Sequence, residues 1–184
     1  MKSSENFATE GLSGTYKQVV FSQRAGETIV GKRPKRKMPR SAAQKKIAAT
    51  FINAATYAKS ILSDAAIKAA YKLKAKAGQS AFNRAIADFF KPPEIDEIDS
   101  SNYSGHIGNK LIATVTDDFR VVSVTVRIEK ANGSLLEEGT ATLLPDGLNW
   151  MYVATVENGN VTGTTVSFIA ADLPGHSIVK SKTL

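Results

Sequence analysis

The chain has 184 residues, 42% of them hydrophobic and 22% charged, with no cysteine and a formal net charge of +7. That is enough for one large or two small domains with an apolar core, and the lack of cysteine excludes disulfides, thiolate catalysis and zinc sites built on sulfur. No run approaches the ~18 apolar residues of a membrane-spanning helix.

The charge is divided along the chain. Residues 1–91 carry 18 Lys and Arg against 5 Asp and Glu, whereas residues 92–184 carry 6 against 12. The sign changes at "FFKPPEIDEIDS", where Pro92 and Pro93 stop a helix and stiffen the joint. Two modules are therefore expected, a basic one over residues 12–91 and an acidic one over residues 93–184. The opening "MKSSENFATEGLSG" has no apolar core behind Lys2, so it is not a secretory signal. The chain as written is expected in the cytoplasm, or at the cell surface if a leader is removed from a longer precursor.

In chain order, "TYKQVVFSQ" and "ETIVGK" read as two strands, with a short turn at Arg24–Gly26 in which Gly26 takes positive φ. A lone hairpin is marginal, so it is expected to lean on the helices that follow. Ser41–Gln44 ("SAAQ") is a capping-box pattern that starts the first helix. Ile47, Phe51, Ala54, Ala55, Ala58, Ile61 and Leu62 fall three and four apart and form its predicted buried face. Ser63 and Asp64 end this helix and cap a second, with Ile67, Ala70, Tyr71 and Ala75 inward and Gly78 as its C-terminal cap. "QSAFNRAIADFF" supplies a third, with Phe82, Ile86, Phe89 and Phe90 inward.

Between hairpin and first helix lies "GKRPKRKMPR", in which Lys32, Arg33, Lys35, Arg36, Lys37 and Arg40 are separated by Pro34 and Pro39. Proline removes backbone donors and favours extended geometry, which spreads the cations along a line. Lys45 and Lys46 add two charges in the first turn of the helix, where the macrodipole disfavours cations by ~0.3–1 kcal/mol. These eight residues are the candidate nucleic-acid-binding set, since a line of cations matches a phosphate backbone. A solvated connector and an acidic protein or polymer partner are the other readings. The segment "KAAYKLKAKAGQSAFNRAIADFF" loosely resembles part of an HMG box, but Gly78 interrupts the final helix and the module has no Trp, so no roles are carried over. The basic half as a whole resembles a recurrent type of uncharacterised bacterial protein, which supplies no function.

After Pro93 the pattern alternates. "PEIDEID", "KLIATVTD", "RVVSVTVRIEK", "LLEEGTATLL", "WMYVATV", "TTVSFIAAD" and "SIVKSKTL" read as seven short strands of a β-sandwich. Val122, Val124, Val126 and Ile128 are expected inward. Asn132-Gly133, Asp146-Gly147 and Asn158-Gly159 read as turns. "ATVTDDFRVVSVTVRI", then "WMYVATV", then "GTTVSFIAADLPGHS" resemble the bacterial Ig-like domains over about residues 95–184. The resemblance implies that Trp150 and Tyr152 are core residues, that the domain has an interaction or structural role, and that His176 departs from the usual Asn.

Little in the sequence points to catalysis. His106 and His176 lie in Gly-containing loops without further ligands at metal spacing. "GHIGNK" lacks the spacing of a phosphate loop. Asp117, Asp118 and Asp172 either hold Ca²⁺ at one end of the sandwich or cap its turns, and capping is the commoner role of such carboxylates. The expectation is an α+β protein: a β-hairpin plus three-helix module, then an all-β Ig-like sandwich. It is expected to be non-enzymatic, with no cofactor, metal or catalytic residue. The basic module would contact nucleic-acid phosphates, while the sandwich contacts a protein or a second copy. The alternative is a structural or surface-assembly component whose basic module docks on an acidic protein or polymer.

Overall fold

The computed structural model describes residues 2–3, 9, 11–24, 26–35 and 39–184. The fold is α+β, with three helices and three four-stranded antiparallel sheets. The N-terminal sheet contains β1 (Lys2–Ser3), β2 (Gly14–Tyr16), β3 (Val19–Arg24) and β4 (Glu27–Lys32) in the order β1-β4-β3-β2. The stretch "TYKQVVFSQ" is thus a hairpin rather than one strand. Tyr16 pairs with Val19 across Lys17-Gln18, and Lys17 takes φ 53°, a left-handed turn without the Gly or Asn that usually marks one. The second hairpin closes as expected, Arg24 opposite Glu27 with Gly26 at φ 83°.

The helices are α1 (Ala42–Ile61), α2 (Ala65–Leu73) and α3 (Ala81–Phe89). Ser41 forms both halves of the capping box with Gln44, and Asp64 accepts from the Ala66 and Ile67 amides at the start of α2. Helix α2 ends at Leu73 rather than running on to Gly78. Beyond it, Lys74 sends its ammonium to the carbonyl of Phe119 at 2.6 Å, and Gln79 closes a separate turn on Lys76.

The second half contains β5 (Glu94–Asp99), β6 (Lys110–Thr116), β7 (Val121–Glu129), β8 (Leu135–Thr140), β9 (Thr142–Leu143), β10 (Asn149–Val153), β11 (Thr165–Asp172) and β12 (Ser177–Thr183). Their two sheets, β5-β6-β10-β9 and β12-β11-β7-β8, enclose one apolar core. Leu111, Ala113, Trp150 and Tyr152 enter it from one sheet, and Val124, Val126, Ile128, Val166 and Phe168 from the other. Val122 breaks the expected alternation and is exposed. The register shifts between Ala171 and Asp172, leaving Val122 as the extra residue of a bulge. A second bulge at Asp96 reconciles the three-residue spacing of Ile95 and Ile98 with a strand that buries both.

"LLEEGTATLL" is two strands in different sheets. The chain crosses between layers at Ala141, which is small enough to be buried there. Asn158-Gly159 is not a hairpin turn. The buried Asn158 amide reaches Thr164 Oγ1 at 2.9 Å, and its backbone N–H donates to Gly105 O, pinning two loops together. Gly139 has no side chain because the Tyr152 ring occupies that space, and a Cβ there would lie 2.7 Å from Tyr152 Cε2. Tyr152 thereby reaches the buried Glu137, to which it donates at 2.9 Å.

The helical core is completed by the sandwich, not by the hairpin. Ala54, Ala58, Tyr71, Ala85 and Ile86 cluster with Phe119 from the β6–β7 turn and with Leu173 from the β11–β12 turn. The rings of Tyr71 and Phe119 stack at 3.7 Å. No hairpin residue belongs to this cluster among the described residues.

Candidate functional site

The basic arm leaves the N-terminal sheet at Lys32, which pairs with Val19, and the Arg33 amide makes a last bond to Gln18 O at 2.8 Å. From there to Ser41 the described residues have no helix or strand, as the two prolines require. Lys32, Arg33, Lys35, Arg40, Lys45 and Lys46 are all exposed. Arg36 and Lys37 lie outside the described residues. Among the described residues none of those six cations forms an ion pair.

Five cations at the joint and on the β12 edge are, by contrast, engaged. Arg84 and Lys91 pair with Asp118, Lys74 holds the Phe119 carbonyl, and Lys180 and Lys182 donate to carbonyls of β5. Helix α1 has no acidic residue in its first turn to offset Lys45 and Lys46. The described cations of the arm therefore face solvent, and Lys68, Lys72 and Lys76 add a further exposed row along and just beyond α2.

Beside the arm the structure departs from the expected burial. Ile47 and Phe51, expected inward, are 67% and 51% exposed, and Ile52 is 64% exposed. With Arg40, Gln44 and Ala48 they line one open groove. Phe90, also expected inward, is exposed and stacks on Phe51 at 6.5 Å. The sequence pattern marks these residues as apolar, but it carries no signal of how far along α1 its partners reach.

The acidic residues cap turns and hold the joint. Asp117 Oδ2 accepts from the Phe119 and Arg120 amides, and Asp172 Oδ1 accepts from the Gly175 and His176 amides. The Arg84 guanidinium bonds Asp118 and holds its carboxyl below the ordinary range. His176 bonds Asp172 Oδ2 at 2.7 Å and lies edge-on to Phe89, and His106 bonds Glu157 at 2.6 Å on the surface. No group of three or more His, Asp or Glu with metal-ligand geometry occurs among the described residues. The sequence reading missed Asp88, which is fully buried on α3. Tyr71 donates to its Oδ2 at 2.6 Å, the Tyr57 hydroxyl lies 3.1 Å from that of Tyr71, and Oδ1 has no partner among the described residues. Burial pushes the Asp88 carboxyl up to about 6; nearby Asp117 and Asp172 add to this, while Tyr71 and Arg84 oppose it.

No protein-family model matches the chain, and no curated protein matches it. Among solved structures it is similar to an engineered protein from the Northeast Structural Genomics Consortium, at 18% identity and a TM-score of 0.34. That similarity covers 59% of this chain and 30% of the engineered protein. No helix among the described residues is long and apolar enough to cross a membrane.

Proposed function

We propose that the chain is a non-enzymatic binding protein whose basic arm contacts nucleic-acid phosphates and whose C-terminal half is an Ig-like interaction module. The observation that carries the first part is the contrast in cation use. The described cations of the arm are exposed and form no ion pair among the described residues, while Lys74, Arg84, Lys91, Lys180 and Lys182, at the joint and on the β12 edge, are tied to named acceptors. Cations held in an extended, proline-spaced segment make point contacts to a polyanion without needing a shaped pocket. The Ig-like reading is supported by strand order. Taken as A to G, the sheets β5-β6-β10-β9 and β12-β11-β7-β8 follow the A-B-E-D and G-F-C arrangement of that fold, with an added strand beside C. In such domains the B–C and F–G loops often bind ligands. Here the corresponding turns carry Phe119 and Leu173 and are covered by the helices. Partner contacts of the module thus fall on its sheets, edges or opposite loops.

The test is a titration of the intact protein with duplex and single-stranded oligonucleotides at several salt concentrations. Affinity is expected to fall steeply with salt and to depend little on base sequence. Neutralising Lys35, Arg36 and Lys37 together is expected to reduce the salt slope by up to about three, at ~0.9 per duplex phosphate contact. Undetectable binding at low salt sinks this reading. It would favour instead an assembly component whose basic module docks on an acidic protein or polymer.

A further inference from the structure

Helix α1 is twice as long as the helices that cover it. Its twenty residues span about 30 Å, whereas the nine residues of α3 span about 13 Å. The buried stripe of Ala54 and Ala58 continues at the same spacing through Phe51 and Ile47 into the part that overhangs. These side chains stay exposed beside Ile52, with Arg40 lining the same groove and Lys45 and Lys46 one turn away. Whatever covers this face must be apolar with carboxylates around it. A second α1 laid against it in a two-fold pair is disfavoured, because it would bring like charges together.

The chain carries a surface of the required kind at its other end. Edge strand β5 exposes Glu94, Asp96, Glu97 and Asp99. Beside it the edge strand β12 exposes Ile178 and Val179, and these line one groove with Pro92, Pro93 and Glu94. The two cations of that groove are already engaged, Lys91 with Asp118 and Lys180 with the carbonyls of Ile95 and Asp96. Within one molecule the two faces do not meet, since Ile47 and Phe51 remain open in the folded chain.

We infer that the overhanging half of α1 docks on the β5–β12 edge of a second copy of this chain. The contact joins unlike surfaces, so it propagates head to tail into rings or open filaments rather than stopping at a two-fold dimer. Its apolar contact uses Ile47 and Phe51, which are not in the nucleic-acid-binding set, and so stands if the arm binds no nucleic acid; it shares Arg40, Lys45 and Lys46 with that set, so a bound polyanion would compete with it.

Sedimentation velocity of the full chain at low and physiological salt tests this, using two variants whose fold is checked by circular dichroism. The head variant is Ile47→Glu with Phe51→Glu, and the tail variant is Glu94→Lys, Asp96→Lys and Glu97→Lys. The unmodified chain is expected to grow with concentration, less so as salt rises. Each variant alone is expected to lose at least about tenfold in association and remain monomeric. Mixed together, they are expected to form a one-to-one dimer that grows no further, because one supplies the intact head and the other the intact tail. A monomeric unmodified chain at low salt overturns the inference. So does a mixture that stays monomeric, or a head variant that still dimerises. Binding of a monomeric chain to anionic vesicles, lost in the head variant, would assign the same face to a lipid surface and equally overturn it.

Discussion

The buried carboxylate of Asp88 makes the stability of the helical joint depend on pH. In the unfolded chain an Asp titrates near 3.8, and in the fold this one is held at about 6. A carboxyl raised in the folded state is stabilising while protonated, so its favourable contribution is complete below about 3.8 and is lost as pH rises through about 6. At ~1.4 kcal/mol per pH unit the loss is roughly 3 kcal/mol by neutral pH. The charges facing it from neighbouring elements are Asp117 and Asp172 from the sandwich turns and Arg84 on α3 itself. Asp88→Asn keeps an acceptor for the Tyr71 hydroxyl and removes the ionisation. It is therefore expected to gain up to about 3 kcal/mol at pH ~7.5 and little or nothing at pH ~4. Asp88→Ala leaves Tyr71 only Tyr57 as a partner and is expected to gain less. The assay is urea unfolding of each variant and the unmodified chain, followed by helical circular dichroism at both pH values. Because the comparison is between variants, other titrating groups largely cancel. An Asp88→Asn chain less stable than the original at pH ~7.5, or equally favoured at both, would refute the reasoning.

Trp150 is the only tryptophan and a core residue, so native emission is expected to be blue-shifted, and Trp150→Ala to cost about 3–5 kcal/mol by chemical denaturation. Phe119→Ala removes the ring stacked on Tyr71, and a loss of about 3–5 kcal/mol is expected in the helical transition, read by circular dichroism. Residues 93–184 alone are expected to unfold cooperatively with a strand-type spectrum, since their core is self-contained. Residues 41–91 alone lack Phe119 and Leu173 and are expected to bind a hydrophobic dye and melt without a sharp transition. A cooperative melt of that fragment would count against the shared core.

What the sequence makes legible here is what short-range chemistry determines. The capping box at Ser41–Gln44, the turn at Gly26 and the exposure of the described arm cations each depend on a few neighbouring residues, whereas the burial of Trp150 and Tyr152 is implied by the resemblance of the second half to Ig-like domains. What stays hidden depends on partners far along the chain. Helical periodicity identifies the apolar stripe of α1 but not the length of what lies against it, so Ile47 and Phe51 read as core. The polar residue Asp88 sits on the apolar side of α3, and only the arrival of Tyr71 from α2 gives it an acceptor role there. The switch between sheets at Ala141 and the turn at Lys17-Gln18 have no residue that announces them. Asn158 carries a turn signal, yet it is drawn into the interior by Thr164.

The division of charge suggests that attraction between a basic half and an acidic half holds the molecule together, and the joint argues otherwise. Its contacts are mainly apolar: Phe119 and Leu173 are inserted among the helices, with Tyr71 stacked on one of them. Its short ion pair, Arg84 with Asp118, is largely shielded, the two side chains being 12% and 25% exposed. Such a pair is screened by salt far less than an exposed one. Stability of the joint should therefore change little with ionic strength, while any association through the arm or the α1 overhang should weaken. That difference separates the two uses of charge in one molecule. The few cations placed at the joint are consumed by it, and those on the arm and α1 remain for whatever the protein binds.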